Sequence, residues 1–138
     1  MSEHFLREML RAPSSSWGLM NVSTGALVAQ HLIPAFDRRS RNQGLLRRAG
    51  LRSGEALILA PCSSVHTWFM QFPIDLVFVS RAGEVLKVRP AVGPWRMAAR
   101  LGAFAVIEWG AGGARGVQRG HRLGLRSLQT EGDRVTAK

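Results

Sequence analysis

The 138-residue sequence has one cysteine, Cys62, and no tyrosine. A single thiol excludes an intrachain disulfide and every zinc or iron–sulfur site that needs several cysteines. No apolar run approaches the roughly 18 residues that a membrane-spanning helix requires. The first sixteen residues place charges at Glu3, Arg7, Glu8 and Arg11, where a secretory signal would need an apolar stretch. We therefore expect no membrane span and, by default, a cytoplasmic location.

Acidic residues are also scarce, with nine Asp and Glu against nineteen Lys and Arg, which gives a formal net charge of +10. Such an excess favours anionic partners through nonspecific attraction. Six arginines crowd residues 38–52, and residues 36–48 predict a surface helix there. This stretch is either a solvated helix face or an anion-binding surface. Its members are Arg38, Arg39, Arg41, Arg47, Arg48 and Arg52.

What remains is ordinary for a globular protein, with 46% hydrophobic and 20% charged residues. The length fits one compact domain with a sizeable core. We predict a single β-rich domain over residues 17–128. An N-terminal arm over 1–16 would lie loosely against it, and a polar tail over 129–138 would follow it.

Apolar runs of strand length, separated by turn residues, predict the architecture. They indicate a hairpin within 20–33 that ends at Pro34, a strand over 55–61, a hairpin formed by 74–79 and 84–88, and strands over 103–109 and 121–128. Residues 90–102 are expected to form a crossover loop. The predicted fold class is mainly β within α+β, a distorted barrel or sandwich with one or two short helices.

Two carboxylates interrupt these apolar runs. Asp75 stands between Ile74 and Leu76, and Glu108 stands between Ile107 and Trp109. A buried charge is costly unless it is paired. Each carboxylate therefore either points outward from a half-exposed strand or pairs with an arginine, for example Arg39.

The segment between Cys62 and Met70 carries the densest set of reactive side chains. If it is extended, Cys62, Ser64, His66, Trp68 and Met70 share one face. His66 could act as a general base oriented by Asp75, with Cys62 or Glu108 completing the set. Residues four apart on a strand are about 13 Å apart, which argues against a direct contact between Cys62 and His66. The same distance argues against a copper site formed by Cys62, His66 and Met70, so we predict no metal and no cofactor.

Two further patterns resemble ligand-binding motifs only in part. Five glycines over 110–120 follow a strand as a phosphate loop would, but no Gly-Lys-Ser/Thr sequence ends the loop, so a turn fits better. Nucleic-acid modules interleave aromatic and basic residues, and of the four tryptophans Trp95 alone has a basic neighbour, Arg96. Nucleic acid is therefore an alternative partner and not the favoured one.

The order of these residues resembles a family of small bacterial and archaeal proteins known as domain of unknown function 192. The resemblance runs over about two-thirds of the chain, from residue 35 to 125, and centres on the block H-T-x-F-M-x-F-P-I-D at 66–75. Its other parts are Arg39 with residues 44–46, the strand 55–59, Cys62, residues 77–79, Gly83, Val85, Pro94, Trp95, residues 106–108, Gly110, Ala114, Gly116 and Gly120.

The resemblance implies a compact, mainly β domain with short helices and no established activity. Family members often follow an export signal, which this sequence does not show. The family pattern commonly has Gly-Asp before the last strand, whereas this chain has Gly120 followed by His121. That difference puts in doubt any role that needs a carboxylate at this position.

Together these observations favour a small non-enzymatic binding or accessory domain with a polar–aromatic pocket around the 66–75 block, taking a small ligand or a protein. The candidate ligand-binding residues are Arg39, His66, Thr67, Met70, Asp75 and Glu108. One alternative is a hydrolase-like enzyme that uses His66 and Asp75. The other is a nucleic-acid or anionic-surface binder that uses Arg38, Arg41, Arg47, Arg48 and Arg52.

Overall fold

A computed structural model describes residues 4–12, 15–37, 51–68 and 70–128. One short helix and ten strands lie within these residues. They are α1 (Arg7–Arg11), β1 (Trp17–Asn21), β2 (Ala26–Ala29), β3 (His31–Ala35), β4 (Glu55–Leu59), β5 (Ser64–His66), β6 (Ile74–Val79), β7 (Val85–Val92), β8 (Met97–Ala99), β9 (Ala105–Gly110) and β10 (Leu123–Ser127). No helix among the described residues is long and apolar enough to cross a membrane.

The strands form three sheets. The largest has five strands in the order β3-β4-β9-β6-β7, a second has the order β10-β1-β2, and β5 pairs with β8 in a ribbon of two. Only β3 and β4 run parallel among these neighbours. The prediction of a mainly β single domain is confirmed. Over the described residues the sheets do not close into a barrel, so the predicted barrel alternative is wrong.

The five-stranded sheet has an apolar core on each face. Its strands β6 and β9 are buried along almost their whole length, which explains their continuous apolar sequence. The first core lies between this sheet and the three-stranded sheet, and it includes Leu19, Ile58 and Trp109. The second core lies on the opposite face, where Leu57, Leu76 and Phe78 pack with Met70.

The N-terminal arm is docked where its residues are described, contrary to the prediction of a loose segment. Leu6 and Met9 are 1% and 3% exposed in the first core. Leu6 is the residue just before α1 and Met9 lies within it, so both side chains anchor this end of the chain. The division of the chain into arm, domain and tail stays a prediction, since residues 129–138 lie outside the described part.

Most predicted strands are confirmed, including the hairpin of β6 and β7 and the hairpin of β1 and β2. Two local predictions are wrong. Pro34 does not end the strand, because β3 is an edge strand in which a missing N–H is tolerated. The expected loop over 90–102 contains the end of β7 and all of β8. Only Ala98 of β8 is buried, so the sequence has no apolar alternation there to indicate a strand. The predicted helix over 36–48 lies almost entirely outside the described residues.

Candidate functional site

The ribbon of β5 and β8 has a buried side and an exposed side. Its register pairs Val65 with Ala98 and His66 with Met97. Val65 and Ala98 face the second core, and neighbouring positions on a strand point in opposite directions. His66 and Met97 therefore point outward, and the same alternation carries Trp68 and Trp95 outward beyond the ends of the strands. We call His66, Trp68, Trp95 and Met97 the aromatic ribbon.

The rings of the aromatic ribbon lie against one another. The His66 and Trp68 ring centroids are 4.9 Å apart, and the Trp68 and Trp95 centroids are 6.4 Å apart with planes inclined by 28°. Trp68 is 42% exposed, Trp95 is 61% exposed and Met97 is 65% exposed. The other two tryptophans, Trp17 and Trp109, are buried in the first core. The two exposed tryptophans thus lie together at one place.

Thr67 holds this arrangement from beneath. Its backbone N–H donates to the Arg96 carbonyl at 2.8 Å, and the Trp95 N–H donates to the Thr67 carbonyl at 3.2 Å. Its buried hydroxyl donates to the Gly93 carbonyl at 2.6 Å and accepts from the Arg96 N–H at 2.9 Å. The loop between β7 and β8 is therefore fixed at both ends by one threonine.

Trp95 adopts a left-handed backbone conformation, with a φ of 62°. For a residue other than glycine this conformation is disfavoured by about 1–3 kcal/mol, and it persists where the surroundings determine it. The hydrogen bonds from Thr67 supply that determination. The strained residue is thus a tryptophan and not a glycine. In this conformation the indole of Trp95 lies beside Trp68.

Asp75 lies on the other face of the sheet, since it pairs with Trp109 of the first core. It is 2% exposed. Its Oδ1 accepts from the Ala91 N–H at 2.8 Å, and its Oδ2 accepts from the N–H groups of Gly112 and Ala114 at 3.0 Å each. Asp75 therefore ties the end of β7 and the glycine-rich loop to β6. None of these partners is the imidazole of His66.

The glycine-rich loop folds over Trp109. A Cβ at Gly113 would lie 2.6 Å from Trp109 Cδ1, so only glycine fits. The loop amides at Gly112 and Ala114 bind Asp75, which occupies the place that a phosphate would take in a nucleotide-binding loop. An adjacent cleft of about 430 Å³ is lined by this loop, by residues 51–55 and by Arg115.

Glu108 has surroundings opposite to those of Asp75. It pairs with Leu57 and Leu76, which places its side chain on the face of the second core. It is 4% exposed, and its Oε1 accepts no hydrogen bond from the described residues. Burial raises the pKa of Glu108 from 4.5 to about 8 because the charged form loses its hydration. At neutral pH this carboxyl is protonated and uncharged.

His121, which stands where the family pattern has an aspartate, acts as an acceptor. Its Nδ1 accepts from the Gln118 N–H at 3.1 Å and lies 2.9 Å from the buried Asn21 Nδ2. Asn21 Nδ2 also donates to the Gly116 carbonyl. Because a backbone N–H fixes Nδ1 as an acceptor, the ring proton is on Nε2. The imidazole thus fills the acceptor role that a carboxylate would fill here.

The predicted site residues do not converge on one pocket among the described residues. Asp75 and Glu108 lie on opposite faces of the sheet, Met70 packs in the second core, and His66 is exposed. The thiol of Cys62 donates to the Ser64 carbonyl at 3.2 Å. No group of three or more His, Cys, Asp or Glu able to hold a metal occurs in the described part of the chain.

Of the residues predicted to form an anion-binding surface, the structure describes one, Arg52. Arg52 is exposed beside the 430 Å³ cleft, and its backbone N–H donates to Glu55 Oε1 at 2.9 Å. Arg38, Arg39, Arg41, Arg47 and Arg48 lie outside the described residues, so the pairing of Arg39 stays a prediction. Sequence reasoning missed Trp95 and Met97 as partners of His66 and Trp68. The sequence signal for this surface was the Trp95-Arg96 pair. Trp68, which lies next to Trp95 in the fold, is distant from it in the sequence.

The fold is similar to that of two solved structures. A protein of unknown function from Novosphingobium aromaticivorans is 20% identical, with a TM-score of 0.66 over 78% of this chain and 82% of that one. A putative transcription regulator from Sinorhizobium meliloti is also 20% identical, with a TM-score of 0.66 over 79% of this chain and 91% of that one. No curated protein matches the chain. The family model of domain of unknown function 192, described as Uncharacterized ACR, matches residues 21–125, and the chain therefore belongs to that family.

Proposed function

We propose that this chain is a non-enzymatic binding domain whose recognition surface is the aromatic ribbon. One observation carries the proposal: two stacked tryptophans, Trp68 and Trp95, keep 42% and 61% of their surface exposed to solvent. Large aromatic side chains dominate the energetics of binding interfaces and are otherwise buried in cores. A pair of them, one held outward by a strained backbone, fits a prepared contact surface.

The buried residues of the 66–75 block position this surface and do not touch the ligand. Thr67 fixes the loop that carries Trp95. Asp75 binds the N–H of Ala91, two residues before Gly93, and so fixes the end of β7 that leads into the loop. Met70 packs beneath in the second core. The proposed contact residues are therefore His66, Trp68, Trp95 and Met97.

The geometry favours binding over hydrolysis. In the hydrolase alternative, a carboxylate, that of Asp75, orients the imidazole of His66. Both Asp75 oxygens already accept from backbone amides, and Glu108 lies within the second core. His66 instead lies against Trp68 in a tilted ring contact, where its ring extends the aromatic surface.

The test is a titration of the whole chain with three kinds of ligand that stack on tryptophan. They are an oligothymidylate of about a dozen nucleotides, cellohexaose and a proline-rich peptide. Tryptophan fluorescence and calorimetry report binding. The variant is Trp68→Ala/Trp95→Ala, and the control is Val22→Ala, which changes an apolar side chain that is 58% exposed on another part of the fold.

We expect at least one ligand to bind the wild type and the Val22→Ala control equally, and the double variant at least tenfold more weakly. Near-ultraviolet circular dichroism of the buried Trp17 and Trp109 checks that the double variant is folded. The proposal is overturned if none of the three ligands binds. It is equally overturned if the double variant binds as the wild type does.

A further inference from the structure

The charges around the aromatic ribbon carry information about its ligand. Residues 60–74 and 85–107, which include the ribbon and Thr67, contain no aspartate or glutamate, and the supporting Asp75 is buried with both oxygens accepting from backbone N–H groups. These two segments contain four cationic side chains, Lys87, Arg89, Arg96 and Arg100. A surface of one sign next to exposed rings selects a ligand that carries the opposite charge and flat groups.

Two of the cations are on β8 or next to it, and two are on β7. Arg96 stands between Trp95 and Met97 and is exposed, and Arg100 follows β8 and is exposed. Lys87 Nζ donates to the Ala99 carbonyl at 2.8 Å, which ties β7 to the edge of β8. Arg89 is two residues along β7 from Lys87 and therefore lies on the same face of the strand. Two exposed arginines thus lie on β8 or next to it, and Lys87 joins β7 to the same strand.

We propose, on the basis of the function proposed above, that the ligand of the aromatic ribbon is single-stranded nucleic acid. Bases have flat π-faces that stack on tryptophan and histidine, and phosphates pair with arginine and lysine. The spacing of the rings suits this ligand, because the indoles of Trp68 and Trp95 are nearly parallel at 28° with centroids 6.4 Å apart. Two neighbouring bases would stack over or beside them.

Other ring-stacking ligands fit less well. Neutral oligosaccharides are recognised by stacking together with side-chain acceptors for their hydroxyl groups, and no carboxylate belongs to the two segments. A proline-rich peptide needs an aromatic-lined groove but gains nothing from four cations. Duplex DNA hides its bases within the stack, so it would reach the cations without reaching the rings.

The test is fluorescence anisotropy with labelled oligothymidylate of about a dozen nucleotides, measured over a series of salt concentrations. Trp68→Ala/Trp95→Ala should weaken binding at least tenfold while leaving the salt dependence unchanged. Arg96→Ala/Arg100→Ala should flatten the slope of log K against log salt by about 1.4, since each phosphate contact to a single strand contributes about 0.7. The control for charge is Arg122→Ala, an exposed arginine that pairs with Glu84 in an isolated bridge just before β10, which should leave this slope nearly unchanged.

The outcomes separate this inference from the proposed function. If oligothymidylate does not bind but cellohexaose or the peptide binds through the two tryptophans, the nucleic-acid inference is overturned and the binding domain stands. If a duplex of the same length binds as tightly as the single strand and the tryptophan variant changes nothing, attraction of charge alone explains binding and the inference is overturned. If no ligand binds, both proposals are overturned.

Discussion

Asp75 and Glu108 are buried carboxylates on neighbouring strands, yet they have opposite surroundings. Asp75 lies near the start of β6, where three backbone N–H groups reach its two oxygens. Glu108 lies within β9, flanked by Leu57 and Leu76, and the pKa of its carboxyl rises to about 8 through burial. The comparison teaches that the number of donors around a buried carboxyl determines its role more than its burial does.

The largest expected effect is the pH dependence caused by Glu108. Below pH 4.5 the carboxyl is protonated in both the folded and the unfolded chain. Between pH 4.5 and about 8 the unfolded chain loses the proton that the folded chain keeps, so stability falls as pH rises. At about 1.4 kcal/mol per pKa unit the fall amounts to about 5 kcal/mol.

Glu108→Gln should remove this fall, because the amide stays uncharged. Urea unfolding of wild type and variant between pH 4 and pH 9 measures the difference, with the variant the more stable above pH 8. The same slope in both proteins would mean that Glu108 is not the titrating group.

The second effect tests the donors around Asp75. Asp75→Asn keeps the size of the side chain but turns an NH₂ group toward backbone N–H donors, which leaves at least one of these backbone amides without its acceptor. We expect a loss of about 3 kcal/mol or more in unfolding free energy at pH 7. The control is Glu84→Gln, an exposed carboxylate, which should change stability by less than about 0.5 kcal/mol. A loss from Asp75→Asn no larger than the control's would show that the three hydrogen bonds contribute little.

A smaller effect extends the comparison to an imidazole acceptor. His121→Ala removes the acceptor for Gln118 and for the buried Asn21, and we expect a loss of about 1–3 kcal/mol. His121→Asp restores a carboxylate acceptor and should recover at least half of that loss in the same urea unfolding measurement. Equal losses in both variants would mean that the ring packs and does not act as an acceptor.

The smallest effect concerns Arg39, the partner that the sequence suggests for a buried carboxylate. A protonated Glu108 forms no ion pair, so a double-mutant cycle of Arg39→Gln and Glu108→Gln at pH 7 should give a coupling energy below about 0.5 kcal/mol. A coupling above about 1 kcal/mol would instead establish the ion pair and contradict the uncharged state of Glu108.

The sequence predicts a strand well where almost every residue is buried, because burial selects apolar side chains. It predicts a strand poorly where few residues are buried. The apolar runs of β6 and β9 mark two strands that are buried on both faces. The strand β8 has only Ala98 buried, so its existence depends on pairing with β5 and leaves no local pattern. The outward face shared by Ser64, His66 and Trp68 follows from alternation, but Met70 leaves it because β5 ends at His66.

The candidate site was less predictable for the same reason. Asp75 and Glu108 look alike in sequence, since each stands between two apolar residues, and only the register of β6 against β9 separates their faces. The nearness of Trp68 to Trp95 depends on hydrogen bonds of Thr67 across 26 to 29 residues. No periodic pattern in the local sequence indicates such a contact.

The central claim is that the 66–75 block has a buried part that builds the fold and an exposed part that binds. The most direct measurement is the unfolding free energy of Trp68→Ala/Trp95→Ala, taken together with its affinity for oligothymidylate. We predict a stability loss below about 1 kcal/mol, because both rings are largely outside the core, and a loss of binding of at least tenfold. A stability loss of about 3 kcal/mol with unchanged binding would place the rings among the core residues and contradict the claim.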